Sequence, residues 1–395
     1  MNVCVSVYSR FHAFDLAGQL HRLGHLGRLI TSYPKFKAVE FGVPREKVRS
    51  LLLHEVAKRA WWKMPAALKP DWNLDPWFSE RFERAAWKHI PKETDIFVGV
   101  SSFSERGLIE AKRLGAVTVL ERGSTHIEFQ RDILAEEFDH WGVKGFRVDP
   151  RSVVKELREY EITDYISVPT EFVKSTFLEK GIDGAKVIVN PYGVNLGQFH
   201  QLPKQDDVFR IIYVGGMSLQ KGVHYLLKAF SELRLPDAEL WLVGAKYPEI
   251  DPFFSKYEGT FRYFGAVPQA TLHEYYSQCS AFVISSIQEG MAQVQLQAMA
   301  CGLPLVCTTN TGGGELINEG EEGFVLPIRD TDALKERILA LYKNPEACAA
   351  MGQAAKRRVS QGYTWDDYGQ RSAATYQRIL AARQVGEGLS TSRSA

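Results

Sequence analysis

Two charged residues stand where a phosphorylated ligand would need them. Glu289 lies in the turn Gln288–Ala292, between an apolar strand, Ala281–Ile284, and a helix that Gly302 and Pro304 end. A strand–turn–helix unit aims the first N–H groups of its helix at the carboxyl edge of the sheet. Those unpaired donors and the helix dipole attract a pyrophosphate. Glu289 falls too early in the turn for the helix to cover it. Gln293 and Gln297, four apart, share one face of a largely apolar helix. Their amides either bond to neighbouring backbone or face a polar ligand. Lys221 follows the strand Phe209–Val214 and the pair Gly215-Gly216, and precedes Gly222 and a helix through Leu233. A lysine at a helix start adds a point charge to free N–H donors, which suits phosphate. Elsewhere the same residue would be a solvated lysine.

The first half offers candidates of a weaker kind. His12 sits between a strand, residues 3–7, and a helix from Asp15 to Arg22. A lone loop histidine is more often structural, but the carboxyl end of a strand is where α/β proteins bind ligands. Arg122, after the strand Val117–Leu120, either approaches a phosphate or pairs with Glu121.

Apolar strands that alternate with helical patterns must position these residues, in an α/β arrangement of parallel sheets. In the first half the strands are residues 3–7, Leu29–Thr31, Asp95–Val100, Val117–Leu120, Tyr165–Val168 and Lys186–Val189. The second half restarts at Phe209 after the polar linker 201–207. The length of 395 residues suits two domains. With 48 Lys and Arg against 47 Asp and Glu, no global charge draws the chain to nucleic acid. Five cysteines without framework spacing read as core residues of a reducing compartment. The start runs straight into a strand and no apolar run reaches about 20 residues, so a cytoplasmic protein is expected. G-x-x-x-x-G-K-[ST], G-x-G-x-x-G and G-x-S-x-G are all missing from the sequence. From 34 to 69, nine Lys or Arg face three Glu, with Leu51, Val56, Trp61 and Trp62 at roughly helical spacing. Such a basic amphipathic segment suits the inner face of an anionic membrane, or is an ordinary helix with a solvated face.

The second half resembles the retaining glycosyltransferases of family 4. Their E-x7-E signature runs S-x-x-E-G-F-G and then E-A-M-A-x-G-x-P. This chain has Glu289-Gly290-Met291-Ala292 and then Gln297-Ala298-Met299-Ala300-Cys301-Gly302-Leu303-Pro304. Gly215 to Gly222 is similar to V-G-R-L-x-x-x-K-G, with Lys221 at the lysine and Gly216 at the arginine. Residues 190–199 are similar to N-G-V-D-x-x-x-F. The resemblance implies an α/β GT-B fold: two Rossmann-like domains that face a central cleft, with a C-terminal helix crossing back. The expected boundaries are 1–200, 208–363, a crossover helix 364–383 and a disordered tail 384–395.

The implied activity is transfer of a sugar from a UDP- or GDP-sugar to a hydroxyl of a glycan or glycolipid, without metal or other cofactor. By resemblance, Glu289 holds donor-sugar hydroxyls, position 297 the ribose, Lys221 the diphosphate and Val267 the base. His126 is similar in position to a histidine that reaches the donor sugar. Its alternative is a helix N-cap neighbourhood, for which Ser124 and Thr125 suffice. Asp330-Thr331-Asp332 resembles the metal-binding triplet of another transferase fold, but helix capping explains both carboxylates. Two rivals share the fold: a hydrolysing nucleotide-sugar epimerase, and a non-catalytic relative, which Gly216 and Gln297 suggest.

Overall fold

In the computed structural model the described residues are 1–64, 75–144 and 148–392. Within 3–189 the strands are β1 Val3–Val7, β2 Leu26–Thr31, β3 Val48–Ser50, β4 Ile96–Val100, β5 Val117–Glu121, β6 Tyr165–Val168 and β7 Val187–Val189. They pair in parallel in the order β3-β2-β1-β4-β5-β6-β7. The second sheet comprises β8 Phe209–Val214, β9 Ala238–Val243, β10 Arg262–Tyr263, β11 Ala281–Ile284, β12 Leu305–Thr308 and β13 Gly323–Leu326. Its order is β10-β9-β8-β11-β12-β13, again parallel. Helices cover both faces, so β1, β4 and β11 are buried along their whole length and read as unbroken apolar runs.

Each order reverses once, between β1 and β4 in the first sheet and between β8 and β11 in the second. At such a switch point neighbouring loops diverge beyond the strand ends and leave a crevice. The loops that carry His12, Lys221 and Glu289 leave from those strands.

The last helix, Trp365–Ser392, returns to the first domain and packs on the helix Ala13–Arg22. Asp366 takes Arg22 at 2.8 Å and Gln19 at 3.1 Å. A Cβ on Gly369 would lie 2.4 Å from that of Gln19, so glycine permits the crossing. Asn190 holds the same helix through Ser372 at 2.8 Å and Arg371 at 3.0 Å.

Three details differ from the sequence expectations. The basic amphipathic stretch 34–69 is not all helix: it contains edge strand β3, too short and polar to signal itself, before the helix Leu52–Lys63. Residues 65–69 lie outside the described residues. β13, Gly-Phe-Val-Leu between the acidic pair 321–322 and Pro327, is a strand not among those expected from the sequence. The crossover helix continues to Ser392 instead of ending at 383, with no proline to stop it.

Candidate functional site

Backbone contacts that only glycine allows bring Lys221 and Glu289 together. Gly222 has φ +59°, and a Cβ there would lie 1.9 Å from the carbonyl oxygen of Ser285. The start of the helix Val223–Leu233 therefore rests on the carboxyl end of β11. The turn after β11 is held from beyond β12, through Asn310 Nδ2 to the Ile287 carbonyl at 3.0 Å and the Glu289 N–H to the Asn310 carbonyl at 2.9 Å. In this frame Lys221 Nζ pairs with Glu289 Oε1, and Ser286 Oγ donates to the same oxygen at 3.1 Å. The following helix, Gln293–Ala300, has no side-chain N-cap. Its start combines uncapped donors, the dipole and one cation, a set that can hold an oxyanion.

The first domain faces this turn closely. A Cβ on Gly290 would lie 2.0 Å from the carbonyl oxygen of Gly123, so the two loops touch backbone to backbone. Gln288 Nε2 donates at 2.8 Å to both Ser124 Oγ and Thr125 Oγ1. Nearby, buried Glu137 of the first domain accepts from Tyr225 and lies 3.1 Å from His224, both of the second, and Arg329 Nε reaches it at 2.6 Å. Beyond these contacts the halves part around a cavity of about 570 Å³. Gln293, Gln297 and Met291 line it from the second domain; Arg10, His12 and Asp15 are among the residues that line it from the first. The cavity stops short of the Lys221–Glu289 pair, which is closed on itself.

His12 is buried in the wall, with Nε2 3.2 Å from Glu121 Oε2 and its ring 4.4 Å from that of Tyr192. Burial pushes the Asp15 carboxyl up to about 7, against the pull of His12 and Arg10. Arg122 also lines the cavity, but its guanidinium is held by Glu156 at 3.2 Å and Gln130 at 2.7 Å. Both anticipated roles for Arg122 thus meet a third: it pairs with Glu156 and not Glu121.

His126 stands elsewhere. Its Nδ1 accepts the Glu128 N–H at 3.3 Å and caps the helix Ile127–His140. Its ring lies about 5 Å from those of Tyr160 and Phe177. Burial, then the Arg122 charge, lowers its pKa to about 4 and keeps the imidazole neutral. Ser124 and Thr125, sufficient in principle as caps, accept from Gln288, and the capping side chain is that of His126, the residue next to the helix. The expectation that it reaches a donor sugar finds no geometric support, whereas His12 does face the cleft.

Gln297 lines the cavity, and its Oε1 accepts from Tyr276 at 3.4 Å. Gly216 lies against the ring of Tyr247, 3.0 Å from where its Cβ would be, and Gly215 donates to the Val243 carbonyl. Val267 packs half-buried against the core, while its neighbour Gln269 lines the cavity. Ala292 is buried and donates weakly to the Thr311 carbonyl at 3.4 Å. Asp330 Oδ1 accepts the Ala333 N–H at 2.8 Å, the capping role anticipated for it. Among the described residues no group of three His, Cys, Asp or Glu side chains could hold a metal ion.

Residues 197–358 match the model of the family described as glycosyl transferases group 1. That match covers the second half of the chain, which is similar to the glycosyl transferases group 1 family. The chain is 30% identical to the putative glycosyltransferase EpsD of Bacillus subtilis, over 41% of this chain and 45% of that protein. It is 31% identical to an O-antigen chain mannosyltransferase B of Escherichia coli, over 38% of this chain and 42% of the other. The matched stretch thus spans less than half of each of these curated relatives. Sucrose-phosphate synthase of Thermosynechococcus elongatus superposes with a TM-score of 0.71 over 97% of this chain and all of its own, at 18% identity. HepE of Anabaena, in complex with UDP-glucose, gives 0.68 over 96% of this chain and all of its own, at 16% identity. At these identities the likeness is one of fold, and that fold is GT-B.

Arg10, Asp15 and the loop Ser101–Phe103 line the cavity without being expected there from the sequence. Nothing in their spacing marks them. Only the sheet order, which seats β4 beside β1, brings them to one crevice.

Proposed function

We propose that this protein is a retaining glycosyltransferase that moves a sugar from a UDP- or GDP-sugar to a hydroxyl of a glycan or glycolipid, in the synthesis of cell-surface polysaccharide. The observation that carries the reading is the Lys221–Glu289 pair beside an uncapped helix start, at the switch point of the second sheet and facing the first domain. The bound UDP-glucose of HepE supports a nucleotide-sugar donor in this fold.

The donor's diphosphate takes Lys221 away from Glu289 and lies against the N–H groups from Gly290 onward. Glu289, released, accepts from hydroxyls of the sugar. As the bond between C1 and the diphosphate oxygen breaks, the growing charge meets a lysine and oriented dipoles that need no rearrangement. The acceptor oxygen bonds to C1 on the face the diphosphate leaves, and its proton passes to a leaving phosphate oxygen. Arg10, in the cleft and 3.4 Å from Gln269, supplies the second cation that Gly216 cannot. Contact between the Gly123 and Gly290 loops keeps water from the sugar. The helix Leu52–Lys63, with Leu53 and Val56 exposed, rests against an anionic membrane; failure to sediment with anionic vesicles refutes that part.

The test is a panel of nucleotide sugars read by thermal shift, then by product analysis with acceptors. A UDP- or GDP-sugar should raise the melting temperature by mass action and yield product of retained configuration. No shift with any nucleotide sugar refutes the reading. The buried His12–Glu121 pair in the cleft wall favours one second reading, the hydrolysing epimerase. That enzyme would release free nucleotide and an epimerised sugar without an acceptor.

A further inference from the structure

A second cavity, of about 820 Å³, adjoins the cleft and shares Phe11, Ser102 and Phe103 with it. The two are chambers of one groove at the switch point of the first sheet. Aromatic rings form one wall of the outer chamber. Phe103 lies 5.3 Å from Tyr8 and stacks on Phe11 at 6.4 Å between centroids. Phe11 is 54% and Trp77 48% exposed, and the Arg81 guanidinium lies 4.8 Å from the centre of the Trp77 ring. The backbone is held under strain here too. Ser9, Phe11 and Ser102 have φ of +79°, +42° and +74° without being glycine, and all three line the chamber.

The lining is also basic. Arg151, Lys155 and Arg158 come from the helix Pro150–Ile162, and Lys58 from the helix Leu52–Lys63. Lys155 is committed to Glu83, and Arg151 to Asp149 at 2.7 Å. Glu80 is committed to Arg84 at 2.9 Å and Arg106 at 3.3 Å. Arg158 has no carboxylate partner among the described residues. Lys58 Nζ stands 4.8 Å over the Tyr8 ring and has none either. Of the lining carboxylates, only Glu105 lacks a cation among the described residues, so the chamber holds an excess of uncommitted positive charge.

Exposed rings beside uncommitted cations fit a ligand with a flat apolar face and an adjacent anion, as a sugar ring bearing a carboxylate or phosphate offers. We propose that the outer chamber binds an acidic sugar unit of the acceptor, a uronate or a sugar phosphate, with its ring on Trp77 and Phe103 and its anion between Arg158 and Lys58. That the unit belongs to the acceptor rests on the transferase reading; the chamber's preference for an acidic sugar does not.

Calorimetric titration of the whole chain with glucuronyl-β-1,4-glucose, glucose 6-phosphate and cellobiose tests it. At least one acidic probe should bind about tenfold or more tightly than cellobiose, and which one does so tells uronate from phosphate. Arg158→Glu should abolish that preference, and Trp77→Ala should weaken every probe because ring stacking is blind to charge. UDP affinity, measured on each variant, reports that the donor half is folded. Cellobiose binding as well as the acidic probes, no saturable binding of any probe, or an undiminished preference in Arg158→Glu would each overturn the proposal. Preference for an acidic probe by a protein that binds no nucleotide would uphold the chamber and defeat the transferase reading.

Discussion

The carboxyl edges of the two sheets share a plan and differ in chemistry. Both sheets are parallel, both reverse order once, and both send their ligand-facing loops from the strands that flank the reversal. In the second sheet those loops are glycine-rich, and backbone approaches backbone at Gly222 and Gly290. In the first they carry rings and titratable groups: His12, Asp15, Tyr8 and Phe103. The second edge is built to bring main-chain donors near an anion, while the first is built to offer side chains to something larger and more varied. On the proposed reading, one fold divides the transfer into a generic donor half and a specific acceptor half.

Substitutions can break that contrast. The largest effect is expected where the edges touch. Gly290→Ala would push a methyl into the Gly123 carbonyl, 2.0 Å away. Opening the loops by about 1 Å should lower kcat about a hundredfold, with the melting temperature little changed. Activity and stability, measured side by side, check this.

The two histidines sharpen the contrast within the first domain. His12→Ala should lower kcat by about tenfold through loss of a cleft group. His126→Ala removes a cap, worth about 1 kcal/mol, and should lower the melting temperature by about 2–4 °C with the donor KM intact. The reverse pattern would restore His126 to the site.

A pH-dependent effect concerns Asp15. Its carboxyl is raised from an ordinary 3.8 to about 7, so the folded state binds its proton more tightly than the unfolded chain. Stability from that preference is full below about pH 4 and is lost as pH rises through 7. Asp15→Asn should therefore match the wild type near pH 4 and gain on it up to pH 8. Parallel pH–melting curves would refute the assignment.

How much of this was legible depended on contiguity. The donor edge could be read because Glu289, the helix start and Gln297 lie in one short segment, and Lys221 beside Gly222 repeats the logic. The first-domain edge could not. Tyr8 and Asp15 follow β1 and Ser102 follows β4, strands that only the sheet order makes neighbours, and no glycine pattern flags their loops. His126 misled because its place after a strand is that of a ligand-facing residue. In the structure it is the residue immediately before the helix Ile127–His140, and its ring caps that helix. Strand β3 was invisible for a simpler reason: three residues, Val-Arg-Ser, on a sheet edge carry almost no pattern.

The central claim is that a donor diphosphate lies against Lys221 at the start of the helix Gln293–Ala300. Calorimetric titration of UDP and GDP into the wild type and Lys221→Ala addresses it directly. Loss of one charge-assisted contact of about 1.5–3 kcal/mol should weaken the preferred nucleotide by roughly 10- to 100-fold in a protein that melts normally. Equal affinity in the two proteins would contradict the account.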